Sequence, residues 1–278
     1  MSTNVQRFHS NSFAVRRITR TESVPSYHAQ LNHALSHWPQ WQCKLKEKPR
    51  LIRRLQGGYT NHSFLLASDE NQLVLRLHHA SSHQLGIDRE REAKILTHLS
   101  PLDIAPTLQY LAEDHCYSVL SYIEGTVWPE SAFTSPKNRA QLSHVIKKYQ
   151  QVDITLSRFD YVKHVSAYWR RYVKVRPAAA ARDRAEWQAF LQALQSYQAR
   201  CKRYALSHHD ITPANIIETK EGIKIIDWEY AALGFSALDT YALDRAAQHR
   251  HSRPRARKSS DIISQLNKWM MRLWWGIA

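Results

Sequence analysis

The sequence lacks the features that mark several classes of protein. It has only three cysteines, Cys43, Cys116 and Cys201, and none belongs to a C-x-x-C pair. Neither a disulfide framework nor a zinc site is therefore indicated. Its apolar runs, such as "SVLSYI", are far too short to span a bilayer, and the N-terminus has no apolar stretch typical of a secretory signal. We therefore expect a cytoplasmic protein without a membrane span.

Acidic residues are also scarce. The chain has 24 of them against 39 lysines and arginines, which gives a net charge of +15. A charge of this sign suits nucleic acid, an anionic membrane surface or a polyanionic small molecule such as a nucleotide. No helix-turn-helix, RRM-like or zinc-finger pattern accompanies it, so no nucleic-acid partner is expected. Part of the excess is local, as in "RPRARKSS", and solvated basic segments account for it.

The sequence does contain enough apolar residues for a sizeable core, 43% of the chain with nine tryptophans. Residues 1–25 show no apolar periodicity and are predicted to form a poorly ordered basic arm. From residue 51, "LIRRLQGGYTNHSFLLAS" and "NQLVLRLHH" are typical of strands, with a Gly-Gly turn in the first. "GIDREREAKILTHLS" then predicts a helix that begins after Asp88, and "YSVLSYIEG" predicts another strand.

Beyond Gly125 the pattern becomes mostly helical. Apolar residues recur at spacings of three and four in "RAQLSHVIKKYQQV", in "AEWQAFLQALQSYQARC" and in the final "DIISQLNKWMMRLWWGIA". A β-rich segment thus precedes a helical one. We predict an α+β protein with two lobes, a small β-rich N-lobe over residues 26–124 and a larger, mainly helical C-lobe over residues 125–278.

Polar residues with the chemistry of a metal site lie in the helical half. In "LSHHDITPANII", Asp210 is followed five residues later by Asn215, and Asp227 ends the strand-like "IKIID". Phosphoryl transfer from a nucleotide needs a carboxylate that deprotonates the acceptor hydroxyl, oxygen ligands for Mg²⁺, and cations on the phosphates. These three residues meet the first two needs. Asp, Asn and Pro in sequence are also ordinary turn chemistry, so Asp210 alone is ambiguous.

The whole stretch "HHDITPANII…IIDWEYA" resembles the signature of the choline/ethanolamine kinase, thiamine kinase and aminoglycoside phosphotransferase superfamily. Its "DWEYA" ending is most similar to choline and thiamine kinases. The resemblance implies a protein-kinase-like fold in which Asp210 is the catalytic base and Asn215 and Asp227 bind Mg²⁺. It further implies that His208 supports the catalytic loop and that Glu229 reaches the metal region.

The β-rich half resembles the same superfamily. "LQGGYTNHSFLL" is similar to its phosphate loop, and this implies a role in ATP binding for four residues. Gly57 and Gly58 would allow close approach of the backbone to the phosphates, and Thr60 and Asn61 would bond phosphate oxygens.

Two further parts of the nucleotide site follow from the resemblance. Arg76 in "LVLRLHH" stands where protein kinases carry the lysine that pairs with the phosphates, and Glu92 would be its partner. Charge decoration of a helix surface is the alternative explanation for that pair. "SYIEGTVW" resembles the hinge between the lobes, where the backbone of Tyr122 and Ile123 would hold the adenine.

The end of the chain departs from the resemblance. After Asp239, which resembles an aspartate that follows the metal-binding strand in the superfamily, the sequence is unusually basic where helices normally continue. Trp269, Trp274 and Trp275 would suit a wall for a cationic acceptor, since cations bind aromatic faces, and Trp228 is a further candidate. Packing in the core of the C-lobe is the alternative for these tryptophans.

These patterns together predict an ATP-dependent kinase of a small molecule, with Mg²⁺ as cofactor and ATP as co-substrate. The predicted acceptor is a hydroxyl of thiamine, choline or a similar alcohol. An aminoglycoside phosphotransferase and a catalytically weakened pseudokinase that binds nucleotide are the alternatives. Nothing in the sequence indicates the oligomeric state.

Overall fold

The structure is a computed structural model that describes residues 27–43, 45–55, 61–68, 71–80, 82–248 and 258–277. The predicted N-terminal arm lies outside these residues, and so do Gly57, Gly58 and Thr60 of the predicted phosphate loop. Among the described helices, none is long and apolar enough to cross a membrane.

A five-stranded antiparallel sheet forms the N-lobe. Its strands lie in the order β1-β2-β3-β5-β4. Alternation along β2 and β3 places Phe64, Leu66, Leu73, Leu75 and Leu77 on one face, under helix α1, and Leu65 and Arg76 on the other face. The elements are α1 (Tyr27–Ser36), β1 (Arg50–Arg54), β2 (Asn61–Ser68), β3 (Asn71–His78), β4 (Leu108–Leu111) and β5 (Tyr117–Ser121).

Helix α2 (Arg89–Leu99) connects the sheet to the rest of the molecule. Asp88 caps it as predicted, because its Oδ1 accepts a hydrogen bond of 3.0 Å from the Arg91 amide. Ile95, Leu96 and Leu99 enter a core that continues into the C-lobe. The first turn of the same helix face carries Arg89 and Glu92, both buried, toward the site described below.

The C-lobe consists of helices and short strands. A second core forms where α4, α5 and α7 pack around Trp187, Phe190 and Trp269. Two small sheets, β7 with β10 and β6 with β8 and β9, frame the loops that carry the predicted catalytic residues. The elements are β6 (Thr126–Val127), α3 (Pro136–Gln150), α4 (Tyr161–Val175), α5 (Pro177–Arg200), β7 (Tyr204–Ser207), β8 (Ile216–Thr219), β9 (Gly222–Ile225), β10 (Ala232–Phe235), α6 (Ala237–Gln248) and α7 (Lys258–Ile277).

Candidate active site

Asp210 lies on the loop between β7 and β8, and two neighbours fix its position. The Asn215 side-chain amide donates to both the main-chain oxygen and Oδ2 of Asp210, at 2.9 Å each. The Asp210 amide donates to Nδ1 of the fully buried His208 at 3.2 Å, so the ring proton lies on Nε2, which donates to the Ile226 carbonyl at 3.0 Å. His208 thus connects the Asp210 loop to the residue before Asp227.

Asp239 also fixes the loop that carries Asp210. Its carboxylate accepts from the backbone amides of His208, at 2.7 Å, and His209, at 3.0 Å, and from the Tyr149 hydroxyl at 2.8 Å. Burial, together with the Asp239 charge, keeps the pKa of Tyr149 far above its usual value, so this hydroxyl remains a donor. Asp239, which the family resemblance singled out, is therefore an anchor of the loop backbone.

His209, which lies between His208 and Asp210, adopts a left-handed backbone conformation with a φ of 68°. Its Nδ1 faces the Tyr230 carbonyl at 2.8 Å, and its Nε2 faces the Tyr161 hydroxyl at 2.6 Å. Because a carbonyl only accepts, Nδ1 carries the proton and Nε2 accepts from Tyr161; burial lowers the pKa of His209, which favours this neutral ring. Gly234 makes room for the contact, since a β-carbon there would overlap both side chains.

Asp227 follows β9 and also has a left-handed backbone, with φ of 67°. Such a conformation is uncommon for residues other than glycine and is found mainly where surrounding contacts enforce it. Here the Ile226 amide donates to the Asn215 carbonyl at 2.9 Å. The structure thereby brings the loop of Asp210 and Asn215 next to Asp227.

Arg76 reaches these residues from the N-lobe. One guanidinium nitrogen contacts Glu92 at 2.8 Å, and the other contacts Asp227 at 2.8 Å and Glu229 at 3.1 Å. Arg76 is 7% exposed and Glu92 is 5% exposed. The pair is therefore a buried contact between β3 and α2, and decoration of a helix surface does not explain it.

A second buried arginine, Arg89, was not predicted from the sequence. It contacts Glu92 at 2.7 Å and Glu229 at 3.0 Å, and its other terminal nitrogen donates to the Asn61 side chain at 2.8 Å. Asn61 in turn donates to Glu229 at 2.7 Å. The sequence spacing of three residues between Arg89 and Glu92 was the available signal, but the same spacing also occurs on exposed helix surfaces.

Asn61 was expected at the phosphates and Glu229 near the metal. The structure places both side chains in the buried arginine–carboxylate cluster, where Glu229 and Asp227 contact the same nitrogen of Arg76. Their roles at the phosphates and the metal stay predictions. The predicted hinge residues Tyr122 and Ile123 follow β5 and are half-buried. The Tyr122 amide donates to the Gln72 carbonyl at 3.1 Å, so that amide already has a partner within the sheet.

The structure corrects the expectation for two of the tryptophans. Trp228 is fully buried against Tyr149 and His208 and donates to the Ile225 carbonyl at 2.7 Å. Trp269 is 1% exposed, in the core between α5 and α7. Neither presents a face to a ligand, so the alternative of core packing is right for both. Trp274 is half-buried and Trp275 is 59% exposed.

Two lobes that face each other across paired carboxylates and a buried arginine define a phosphotransferase of the protein-kinase-like class. The model of the phosphotransferase enzyme family, APH, matches residues 51–254. The chain belongs to this family, and it is an ATP-dependent kinase of small molecules. The predicted superfamily and the two-lobed α+β fold are thereby confirmed.

Individual relatives agree with this assignment. The chain is 26% identical to a thiamine kinase of Shigella boydii over 203 residues, which are 72% of this chain and 68% of the relative. It is 28% identical to a thiamine kinase of Salmonella gallinarum over 202 residues, 69% of this chain and 66% of the relative. The crystal structure of choline kinase LicA from Streptococcus pneumoniae superposes with a TM-score of 0.67 at 16% identity, over 90% of this chain and 89% of that one.

Proposed function

We propose that the protein transfers the γ-phosphate of ATP to the hydroxyl of a small cationic alcohol, with thiamine as the first candidate and choline as the second. The grouping of Asp210, Asn215 and Asp227 opposite Arg76 is the observation that carries the proposal. Similarity to thiamine kinases at 26% and 28% identity supports thiamine as acceptor.

Asp210 is the proposed base. Its carboxylate is partly exposed, and the contacts of Asn215, His208 and Asp239 with its loop fix its direction. A carboxylate held in this way accepts the proton of the acceptor hydroxyl as the oxygen attacks phosphorus. Positioning of this kind contributes through the transition state, so the Asp210 carboxylate should matter for turnover more than for nucleotide affinity.

Asn215 and Asp227 are the proposed ligands of Mg²⁺. The amide nitrogen of Asn215 is occupied by Asp210, which leaves its oxygen for a cation, and oxygen ligands are what Mg²⁺ prefers. In the cluster, two guanidinium groups face three carboxylates, and burial together with Glu229 raises the pKa of Asp227 to about 7. A bound Mg²⁺ would neutralise charge on the phosphates. Arg76 would then contact the phosphates from the N-lobe.

An aromatic group beside Glu229 is the proposed acceptor pocket. Tyr230 follows Glu229 directly, and Tyr168 on α4 and Trp274 on α7 approach it from the C-lobe. The Tyr230 hydroxyl is buried beside Tyr168 and Trp274. Aromatic faces next to excess carboxylate charge favour a cation.

The test is a phosphorylation assay with radiolabelled ATP and Mg²⁺ against thiamine, choline, ethanolamine and a panel of aminoglycosides. We expect thiamine, or failing that choline, to give the highest kcat/KM, and Asp210→Asn to form product about 100-fold more slowly or worse. Preference for an aminoglycoside would overturn the cationic-alcohol proposal. An equal rate of product formation in Asp210→Asn would overturn the proposed role of Asp210.

A further inference from the structure

Three side chains with metal-binding chemistry meet on the outer side of the N-lobe, away from the cleft. His33 comes from α1, and Asp114 and Cys116 come from the turn between β4 and β5. One ligand atom of each lies within 4.8 Å of the other two. His33 and Asp114 are exposed and Cys116 is half-buried, so an ion in solution has access to the group.

The local fold explains why the group forms. Leu31, Ala34 and Leu35 bury the inner face of α1 on the sheet, which leaves His33 on the outer face. In the turn, His115 has a left-handed backbone with φ of 57°, and the Cys116 amide donates to Asp114 Oδ1 at 3.0 Å. That bond brings the Asp114 carboxylate back toward the Cys116 thiol.

From this juxtaposition we propose that His33, Asp114 and Cys116 bind one divalent ion of the zinc class, with water completing the coordination. An imidazole, a thiolate and a carboxylate are the ligands that Zn²⁺ and Co²⁺ take in proteins, and three protein ligands with an open position are common. Mg²⁺ prefers oxygen alone. The site is thus chemically distinct from the proposed Mg²⁺ site, and the zinc-site proposal does not depend on the proposed function.

Metal binding exchanges a proton for the ion. Without a metal, burial and the Asp114 carboxylate raise the pKa of Cys116 to about 12, so the thiol is protonated. The metal–sulfur bond forms as the S–H bond breaks, and the proton passes to solvent. No oxidant or reductant is needed. The product is a cross-link between α1 and the β4–β5 turn, two segments that are remote in sequence.

This site could not be predicted from the sequence, because its ligands come from two distant segments and lack C-x-x-C spacing. His37, four residues after His33, is a neighbouring imidazole, with ring centres 4.5 Å apart. Its Nδ1 contacts the His33 carbonyl at 2.8 Å. It therefore serves as a matched histidine control that lies close to the site but outside the proposed ligand set.

The experiment is a Co²⁺ titration of tag-free protein that has been stripped with a chelator and is kept in excess Mg²⁺. We expect one Co²⁺ per chain and a thiolate-to-cobalt charge-transfer band. Cys116→Ser should lose the band. His33→Ala and Asp114→Asn should weaken Co²⁺ binding by about tenfold or more, since even outer partners of a metal ligand are worth about 10–100-fold. The control variants Cys43→Ser and His37→Ala should retain both the charge-transfer band and the affinity for Co²⁺.

A thermal-unfolding measurement guards against a folding artefact. Zn²⁺ should raise the Tm of the parent protein, and the Tm of Cys116→Ser without metal should equal that of the parent while showing no Zn²⁺ response. The proposal is overturned if the parent shows no thiolate band, if the band survives in Cys116→Ser, or if Cys43→Ser removes it. Phosphotransferase activity is not the readout, so failure here leaves the proposed function untouched.

Discussion

Removal of Arg89 tests whether the buried cluster positions Arg76. In the cluster, Arg89 and Arg76 share Glu92, one carboxylate oxygen each, and both contact Oε2 of Glu229. Arg89→Met changes the balance from two guanidinium groups against three carboxylates to one against three. Because Glu229 is 2% exposed, water cannot solvate its carboxylate in place of the lost guanidinium group. Loss of one partner of a buried pair costs about 3–5 kcal/mol, and this is the expected decrease in the free energy of unfolding.

The same change should alter nucleotide binding. With Arg89 absent, Arg76 is the remaining cation for Glu92 and Glu229, and we expect it to be held away from the phosphates. The loss of one charge-assisted hydrogen bond, about 1.5–3 kcal/mol, raises KM for ATP by about tenfold or more. Arg89→Lys retains the charge but cannot reach Glu92, Glu229 and Asn61 together, so it should restore part of the stability.

Urea unfolding and steady-state kinetics provide the measurements. Glu90→Gln, on the same helix turn but with its side chain 79% exposed, is the matched control and should change neither quantity. A double-mutant cycle with Glu229→Gln should give a coupling free energy above about 1 kcal/mol, as expected for residues in contact. If Arg89→Met unfolds at the urea concentration of the parent and keeps its KM for ATP, Arg89 does not position Arg76.

Three further predictions concern the proposed active site. Asp210→Asn should lower kcat by about 100-fold or more, with little change in the affinity for ATP measured by calorimetry, because the base acts in the transition state. Asp227→Ala should abolish the rise in Tm that Mg·ATP produces; a rise that persists would place the metal elsewhere. Trp274→Leu should raise KM for the acceptor but leave KM for ATP unaltered, and the exposed Trp275→Leu should affect neither.

Much of the fold could be predicted because it follows from periodicity and capping. The alternation of "LVLRLH" placed Arg76 opposite the leucines, and the structure has it on the face turned away from α1. Asp88 caps α2, and the apolar spacing in α3, α5 and α7 produced helices. These features depend on interactions within a few residues, which a sequence pattern contains.

Burial could not be predicted in the same way, because it depends on segments that are distant in sequence. Arg89 looks like a surface arginine in "DREREAKIL", and only the approach of Glu229, 140 residues away, makes it a core residue. Trp228 stands in the middle of the motif, yet its ring is covered by Tyr149 from α3. Charged and aromatic residues gain their roles from such contacts, so their residue types alone left both interpretations open.

Two ion pairs between the lobes should respond differently to ATP binding. The Arg76–Asp227 contact joins a proposed phosphate ligand to a proposed metal ligand. We expect this ion pair to break when both side chains bind Mg·ATP. The contact of Arg89 with Glu229 also joins the lobes, but Arg89 has no proposed role at the phosphates or the metal. We therefore expect Arg89 and Glu229 to keep the lobes in register while Arg76 changes partners.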